Sequence, residues 1–217
     1  NISERYDGYG SSIKKVMERK KDTPGIIGVV ADIIKVEKRF ETAIETALGG
    51  SIQNIVTDNE QTAKTLIAYL KQGRFGRATF LPLTSVLGRD ANINSAVLHE
   101  EGVINTASAI VGYDKRYEGI INHLLGRIIV TENIDSALRL AKKYKYSLRI
   151  VTLDGELLNP GGALSGGAYK NAGNLLGRSR ELEELQKRID SIKAEIDDCG
   201  TKIVRFQERK SEIKKAQ

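Results

Sequence analysis

The sequence predicts an α+β fold: two pseudo-symmetric mixed α/β lobes followed by a C-terminal coiled-coil helix. Three observations carry that prediction. The first is an internal repeat. Glu37-Lys38-Arg39-Phe40-Glu41 recurs as Asp114-Lys115-Arg116-Tyr117-Glu118, and Ile44, Leu48 and Gly49 recur as Ile121, Leu125 and Gly126. Ile55-Val56-Thr57-Asp58-Asn59 then answers Ile129-Val130-Thr131-Glu132-Asn133, and Arg77-Ala78-Thr79-Phe80-Leu81 parallels Arg149-Ile150-Val151-Thr152-Leu153. Two copies make two lobes; a solenoid needs at least three. The second is a heptad run of Leu182, Leu185, Ile189, Ile192, Ile196, Cys199, Ile203, Phe206 and, after a lapse at Lys210, Ile213. Its alternating steps of three and four are the period of a supercoiled seam. The third is Asn159-Pro160-Gly161-Gly162-Ala163-Leu164-Ser165-Gly166-Gly167, placed between repeat and heptads.

Each element follows from local pattern. Residues 1–22 hold a first helix, Ser11 to Lys20, with Ile13, Val16 and Met17 inward. Lobe 1 occupies 23–87 and lobe 2 occupies 103–170, joined by a polar connector at 88–102. Each lobe opens with a β-rich run (Gly28 to Val36; Ile104 to Gly112) and continues into an amphipathic helix (Glu37 to Leu48; Asp114 to Leu125). Gly49 and Gly126 stand where a left-handed helix cap is favoured. A short strand follows (Ile52 to Thr57; Arg127 to Thr131), then a helix opened by an Asp/Asn/Glu cluster that can cap it. A last strand closes the unit (Ala78 to Leu83; Leu148 to Leu153). Lobe 2 adds a turn at Asp154-Gly155, a short strand at Glu156-Leu157-Leu158 and the glycines. Residues 171–217 begin the coil, in which the Glu184–Arg188 pair supports the helix. From Leu182 onward that helix is roughly 50 Å long.

The glycines give up about 2–4 kcal/mol of backbone order, at roughly 0.5–1 kcal/mol for each of the four. Such a segment serves the close approach of another backbone or a ligand. A phosphate loop needs Gly-Lys-Ser/Thr opening a helix, whereas Gly167 is followed by Ala168-Tyr169. The dinucleotide G-x-G-x-x-G pattern is also missing from the strand-to-helix joins. Pro160 and the alternation around Ala163 and Leu164 favour an extended segment at a sheet edge, offering its backbone to a partner. Gly161, Gly162, Ala163, Leu164, Ser165, Gly166 and Gly167 are therefore the candidate edge that meets another backbone, the other reading being a mobile linker.

Composition excludes other classes. With 40% hydrophobic residues in 217, the chain can bury a core. A single cysteine rules out an internal disulfide, and without C-x-x-C no zinc site is expected. No apolar run reaches membrane-span length, so a soluble cytoplasmic protein is expected. His99 and His123 lack companions for catalysis, so neither an enzyme nor a metal site is expected. The first residue is Asn1 and the coil runs to Gln217, so a fragment of a longer protein is expected. The net charge of +6 is compatible with nucleic acid. Lys14, Lys15, Arg19, Lys20 and Lys21 crowd one helix and its exit. Lys142, Lys143, Lys145 and Arg149 interleave with Tyr144 and Tyr146, which suits phosphate contact with base stacking. The Lys38-Arg39 and Lys115-Arg116 pairs read as solvated helix faces.

The order of these features resembles the hinge domain of SMC (structural maintenance of chromosomes) proteins, nearest the bacterial chromosome-partition type. The resemblance rests on Gly49-Gly50, Gly76-Arg77-Ala78-Thr79-Phe80-Leu81-Pro82-Leu83, the paired glycines, and Leu175-Leu176-Gly177-Arg178-Ser179-Arg180-Glu181 entering the coil. It implies a two-lobed hinge that homodimerises, joining two coiled-coil arms whose distant heads bind ATP and Mg; the hinge residues themselves hold no cofactor. It implies interface roles for the four paired glycines, weak DNA binding near the coil junction, and a DNA gate in chromosome condensation and segregation at the nucleoid. Relatives often carry several lysines after the second glycine pair; here the junction patch rests on Lys170, Arg178 and Arg180. The partner of the coil would be a helix preceding Asn1. Two other readings stand beside it: a stand-alone nucleic-acid-binding module, and a small-molecule-binding α/β enzyme domain with an appended coil.

Overall fold

A computed structural model describes residues 6, 8–88, 93–167 and 174–215. The chain divides into two compact units, Asn1–Ser179 and Arg180–Gln217. The first holds both lobes. Its strands are β1 (Ile26–Val29), β2 (Ile34–Val36), β3 (Ile55–Thr57), β4 (Phe80–Pro82), β5 (Val103–Thr106), β6 (Val111–Tyr113), β7 (Ile128–Thr131), β8 (Arg149–Thr152), β9 (Leu157–Leu158) and β10 (Leu164–Ser165). The helices are α1 (Ser11–Glu18), α2 (Val30–Ile33), α3 (Glu41–Leu48), α4 (Glu60–Gln72), α5 (Ser95–Leu98), α6 (Glu118–Leu125), α7 (Ile134–Lys143) and α8 (Leu175–Lys215).

The repeat is visible down to single hydrogen bonds. Lobe 1 orders its strands β1-β3-β4 and lobe 2 orders them β10-β9-β8-β7-β5. In each, the first strand runs antiparallel to the second and the second parallel to the third. The first pair carries a bulge at the same place, between Ile26 and Gly28 and between Val103 and Asn105. Asn59 accepts the Thr62 N–H at 2.9 Å and Asn133 accepts the Ser136 N–H at 3.0 Å, capping α4 and α7.

The lobes meet through their equivalent strands. β2 and β6 pair antiparallel, with Ile34 opposite Tyr113, Lys35 opposite Gly112 and Val36 opposite Val111. The repeat equates Ile34 with Val111 and Val36 with Tyr113, so exchanging the lobes maps this ladder onto itself. The local pseudo-two-fold axis passes through the Lys35–Gly112 pair.

One core runs through both lobes, from Val16 and Met17 through Ile44, Ile55 and Ile121 to Val130 and Val151. A smaller cluster of Val97, Ile129, Ala137, Leu140, Ala141, Ile150 and Leu158 lies on the other face of the lobe 2 sheet, beneath α7. β7 is therefore buried on both faces, with Ile129 turned to one cluster and Val130 to the other. That is why its sequence is a continuous apolar run instead of an alternating one.

Four details differ from the sequence expectation. The β-rich runs are broken, by α2 in lobe 1 and by a turn at 107–110 in lobe 2, because the chain must leave each lobe sheet to reach the β2–β6 pair. Asp32 helps make the first break by accepting the Val29 N–H at 3.0 Å. The long lobe helices open as 3-10 turns at Lys38–Phe40 and Lys115–Tyr117 before α3 and α6. The strand expected from Ile52 starts at Ile55, after a 3-10 stretch at Gly49–Gln53. Gly49 has φ +51°, but Gly126 is right-handed at φ −62°, since α6 passes through one short turn directly into β7.

Candidate dimer seam and nucleic-acid clusters

The glycine segment is a hairpin loop and an edge strand. β9 pairs antiparallel with β8, and β10 pairs with β9, Leu164 opposite Leu158 and Ser165 opposite Leu157. Asn159 to Gly162 make the turn: Gly162 N–H donates to the Asn159 carbonyl at 3.0 Å, with Gly161 at φ +89°. Pro followed by a residue of positive φ is the chemistry of a type II turn, which explains Pro160-Gly161 within the chain itself. Gly161 N–H also donates to the Tyr146 carbonyl at 2.9 Å, tying the loop to the segment after α7. From Gly161 to Gly167 every residue is exposed, and Leu164 is 52% exposed on the outermost strand. Part of the glycine content is thus local geometry, and what remains is an open backbone edge carrying a bare leucine.

A second open edge lies in lobe 1. β4 ends its sheet, whereas its counterpart β8 is covered by β9. A cleft of about 330 Å³ beside the approach to β4 is lined by Ser12, Gly50, Gln53, Arg77, Ala78 and Thr79, among others. The Gly50 and Gly76-to-Leu83 motifs therefore meet in space although they are distant in sequence.

The basic residues separate into distinct surroundings. In α1, Lys15 pairs with Glu18 at 2.9 Å, which raises the lysine pKa through the hydrogen bond and the charge, and its ammonium lies 5.8 Å from the Phe75 ring. Lys14 is half-buried on the same helix. Arg19 stacks on Tyr69 at 4.6 Å. At the end of α7, Lys142, Lys143 and Lys145 are exposed. Lys143 is engaged by Glu100 at 2.7 Å, and the Tyr144 hydroxyl donates to the same carboxylate at 3.0 Å. The hydrogen bond from Lys143, then that from Tyr144, holds the Glu100 carboxyl below its ordinary range. Lys145 and Tyr146 both sit at φ +54°, which turns the chain sharply and leaves the Tyr146 ring on the surface against Gly162. Arg39 and Arg116 stack on Phe40 and Tyr117 at 4.3 and 4.7 Å, at equivalent repeat positions. At the coil junction, Arg178 is exposed and Arg180 bonds Glu184 at 3.0 Å, while Lys170 lies outside the described residues.

The sequence reading passed over Glu45. It is buried in α3, and its carboxyl accepts the Leu176 N–H at 2.8 Å from the start of α8. The available signal was its position, flanked by Ile44 and Leu48 on an otherwise apolar helix face.

Two lobes related by a pseudo-two-fold, a bare glycine-rich sheet edge and a long heptad helix define a hinge module from which an arm departs. The chain belongs to the SMC hinge family: the model of the SMC proteins flexible hinge domain matches residues 23–141. It is 44% identical over 187 residues to the chromosome partition protein Smc of Bacillus subtilis, covering 85% of this chain and 16% of that protein. To the Smc of Clostridium kluyveri it is 39% identical over 219 residues, covering 98% and 18%. The chain thus spans only 16–18% of the length of these relatives. It is similar to the Geobacillus stearothermophilus SMC hinge domain, solved as an asymmetric dimer (TM-score 0.77, 40% identity, 89% of this chain and 80% of that one). It is also similar to the Pyrococcus furiosus Smc hinge domain with an extended coiled coil (TM-score 0.63, 27% identity, 90% and 67%).

Proposed function

We propose that this chain is the homodimerisation hinge of a chromosome-partition SMC protein, joining two coiled-coil arms by contact between exposed sheet edges. The observation that carries the reading is β10: the end strand of its sheet among the described residues, with a leucine 52% exposed. An unpaired edge bearing an apolar side chain is a template for another chain. β4 of a second copy supplies an edge of the same kind, and two such contacts related by a two-fold axis close a dimer. The dimeric state of the Geobacillus hinge supports this reading. The exposed heptad seam of α8 takes a second helix in the same assembly.

The basic turn after α7 is the leading DNA contact, combining Lys142 and Lys145 with the exposed Tyr146 ring. Lys14 and the junction arginines are secondary contacts. Opening of the β10 seam would make the dimer a gate for DNA at the nucleoid, and the ATP-binding heads belong to the rest of the protein. The role is assembly, not catalysis.

Sedimentation of the whole chain tests the hinge. The expected species has twice the chain mass, and Leu164→Lys converts it to a folded monomer. A wild-type monomer at micromolar concentration, or a Leu164→Lys dimer, overturns the reading. Replacing all four glycines is the poorer test, because Gly161, Gly162 and Gly167 hold positive φ and the hairpin itself would suffer.

A further inference from the structure

An α-helix leaves its first N–H groups without intrahelical partners. At the start of α8, those of Leu175, Leu176 and Gly177 have partners outside the helix ladder. Gly177 N–H donates to Asn174 Oδ1 at 2.7 Å, and the helix's own ladder begins with Arg178 N–H donating to the Asn174 carbonyl at 3.1 Å. Leu176 N–H donates to Glu45 Oε1 at 2.8 Å, and Leu175 N–H also bonds the Glu45 carboxyl. The near cap comes from the preceding residue, but the Leu176 N–H and its Leu175 neighbour are held by a side chain of another helix, 131 residues from Leu176. Leu175 and Leu176 join the main core, only 8% and 5% exposed.

The repeat shows that this arrangement is particular to lobe 1. Glu45 corresponds to Asn122 in α6. There the crossing segment is the connector, whose Gly88 packs against Gly119 and Asn122. Both lobe helices are crossed at the same place, and only the one meeting the root of α8 presents a carboxyl there.

We propose that Glu45 is the positioning residue for the root of α8, a buried carboxyl clasp that seats Leu175 to Ser179 in the body.

Burial is the largest influence on Glu45 and pushes its pKa up; the Leu176 and Leu175 N–H groups oppose it, and the charge of Glu41 adds to the rise. Other ionisable groups on the packed elements are Arg149 at the start of β8, Glu118 and His123 on α6, Lys38 and Arg39 in the preceding 3-10 turn, and Arg178 on α8. A carboxyl with a raised pKa in the closed state favours closure when protonated. The clasp is therefore tightest below the ordinary glutamate value and loosens as pH rises through the raised one, when the carboxylate gains by reaching water.

Amide exchange and amide-resolved NMR on the whole chain test the clasp. In Glu45→Ala the root amides exchange about ten-fold faster, the scale of a lost hydrogen bond, while β7 and β8 amides stay protected. Glu45→Gln, which keeps an acceptor oxygen without the charge, restores protection. In the wild type the Leu176 amide shift follows a titration above the ordinary carboxylate range, and Glu45→Gln abolishes it. Unchanged root exchange in Glu45→Ala, equal loss in β7 and β8, or Glu45→Gln exchanging as fast as the alanine variant overturns the proposal. If Glu45→Ala does not fold, the titration decides: a Leu176 shift that moves alike in wild type and Glu45→Gln overturns it.

Discussion

Gly161 and Gly166 show how one residue type serves different ends within six positions. Gly161 occupies the turn position that needs φ +89°, so an alanine there is strained whatever space surrounds it. Gly161→Ala is expected to cost about 1–2 kcal/mol in urea unfolding, the scale of a left-handed L-residue. At Gly166 a Cβ would instead stand 3.0 Å from Glu156 Cγ, a side chain that can give way, so Gly166→Ala should cost less. Glu100 acts through charge. Its carboxyl is held below the ordinary range by Lys143 and then Tyr144, so the stabilisation is present above the ordinary carboxylate value and is lost as pH falls through the depressed one. Glu100→Gln frees the Lys143 ammonium, and tighter DNA binding with a steeper salt dependence is expected. Unchanged binding in a salt titration would remove Lys143 from the contact.

Among the elements, the paired helices α4 and α7 behave as duplicates. Each is capped by an asparagine at the same repeat position, and the caps share no partners. Asn59→Ala and Asn133→Ala should each cost about 1 kcal/mol, and the double variant about their sum, read by chemical denaturation. A cap is a local device, which is why both were legible from an Asp/Asn/Glu cluster before an apolar period. The edge strand was legible for a similar reason: Pro160 followed by Gly161 and Gly162 disfavours the inside of a sheet. The breaks in the β-rich runs were not. Nothing local in Gly28 to Val36 announces that Ile34 must pair with Tyr113, because that pairing joins residues of two lobes. In α8 the seam from Leu182 to Ile213 is exposed, as a heptad face is before its partner docks.

At the scale of the molecule, one core spans both lobes and the β2–β6 ladder stitches them. The lobes of Asn1–Ser179 should therefore melt together. A single calorimetric transition is expected for them, and two resolved transitions would show that the repeat still folds as separate halves. The pseudo-symmetry is also deliberately incomplete in its consequences. Lobe 2 covers its β8 edge with the β9–β10 hairpin, whereas in lobe 1 no strand among the described residues pairs with the far side of β4. With β4 and β10 as unlike end strands, a body can meet a copy of itself edge to edge, and closure then takes two contacts.

The repeat, the coil period, the caps and the glycine-rich edge were all readable in the chain, because each is a pattern over neighbouring residues or a match between two segments. Only the tertiary structure joined the lobes through β2 and β6, brought Gly50 and Arg77 to one cleft, turned Lys143 toward Glu100, and set Glu45 at the root of α8. These contacts depend on how distant segments are brought together, and no local periodicity records which buried carboxyl will meet which unsatisfied N–H.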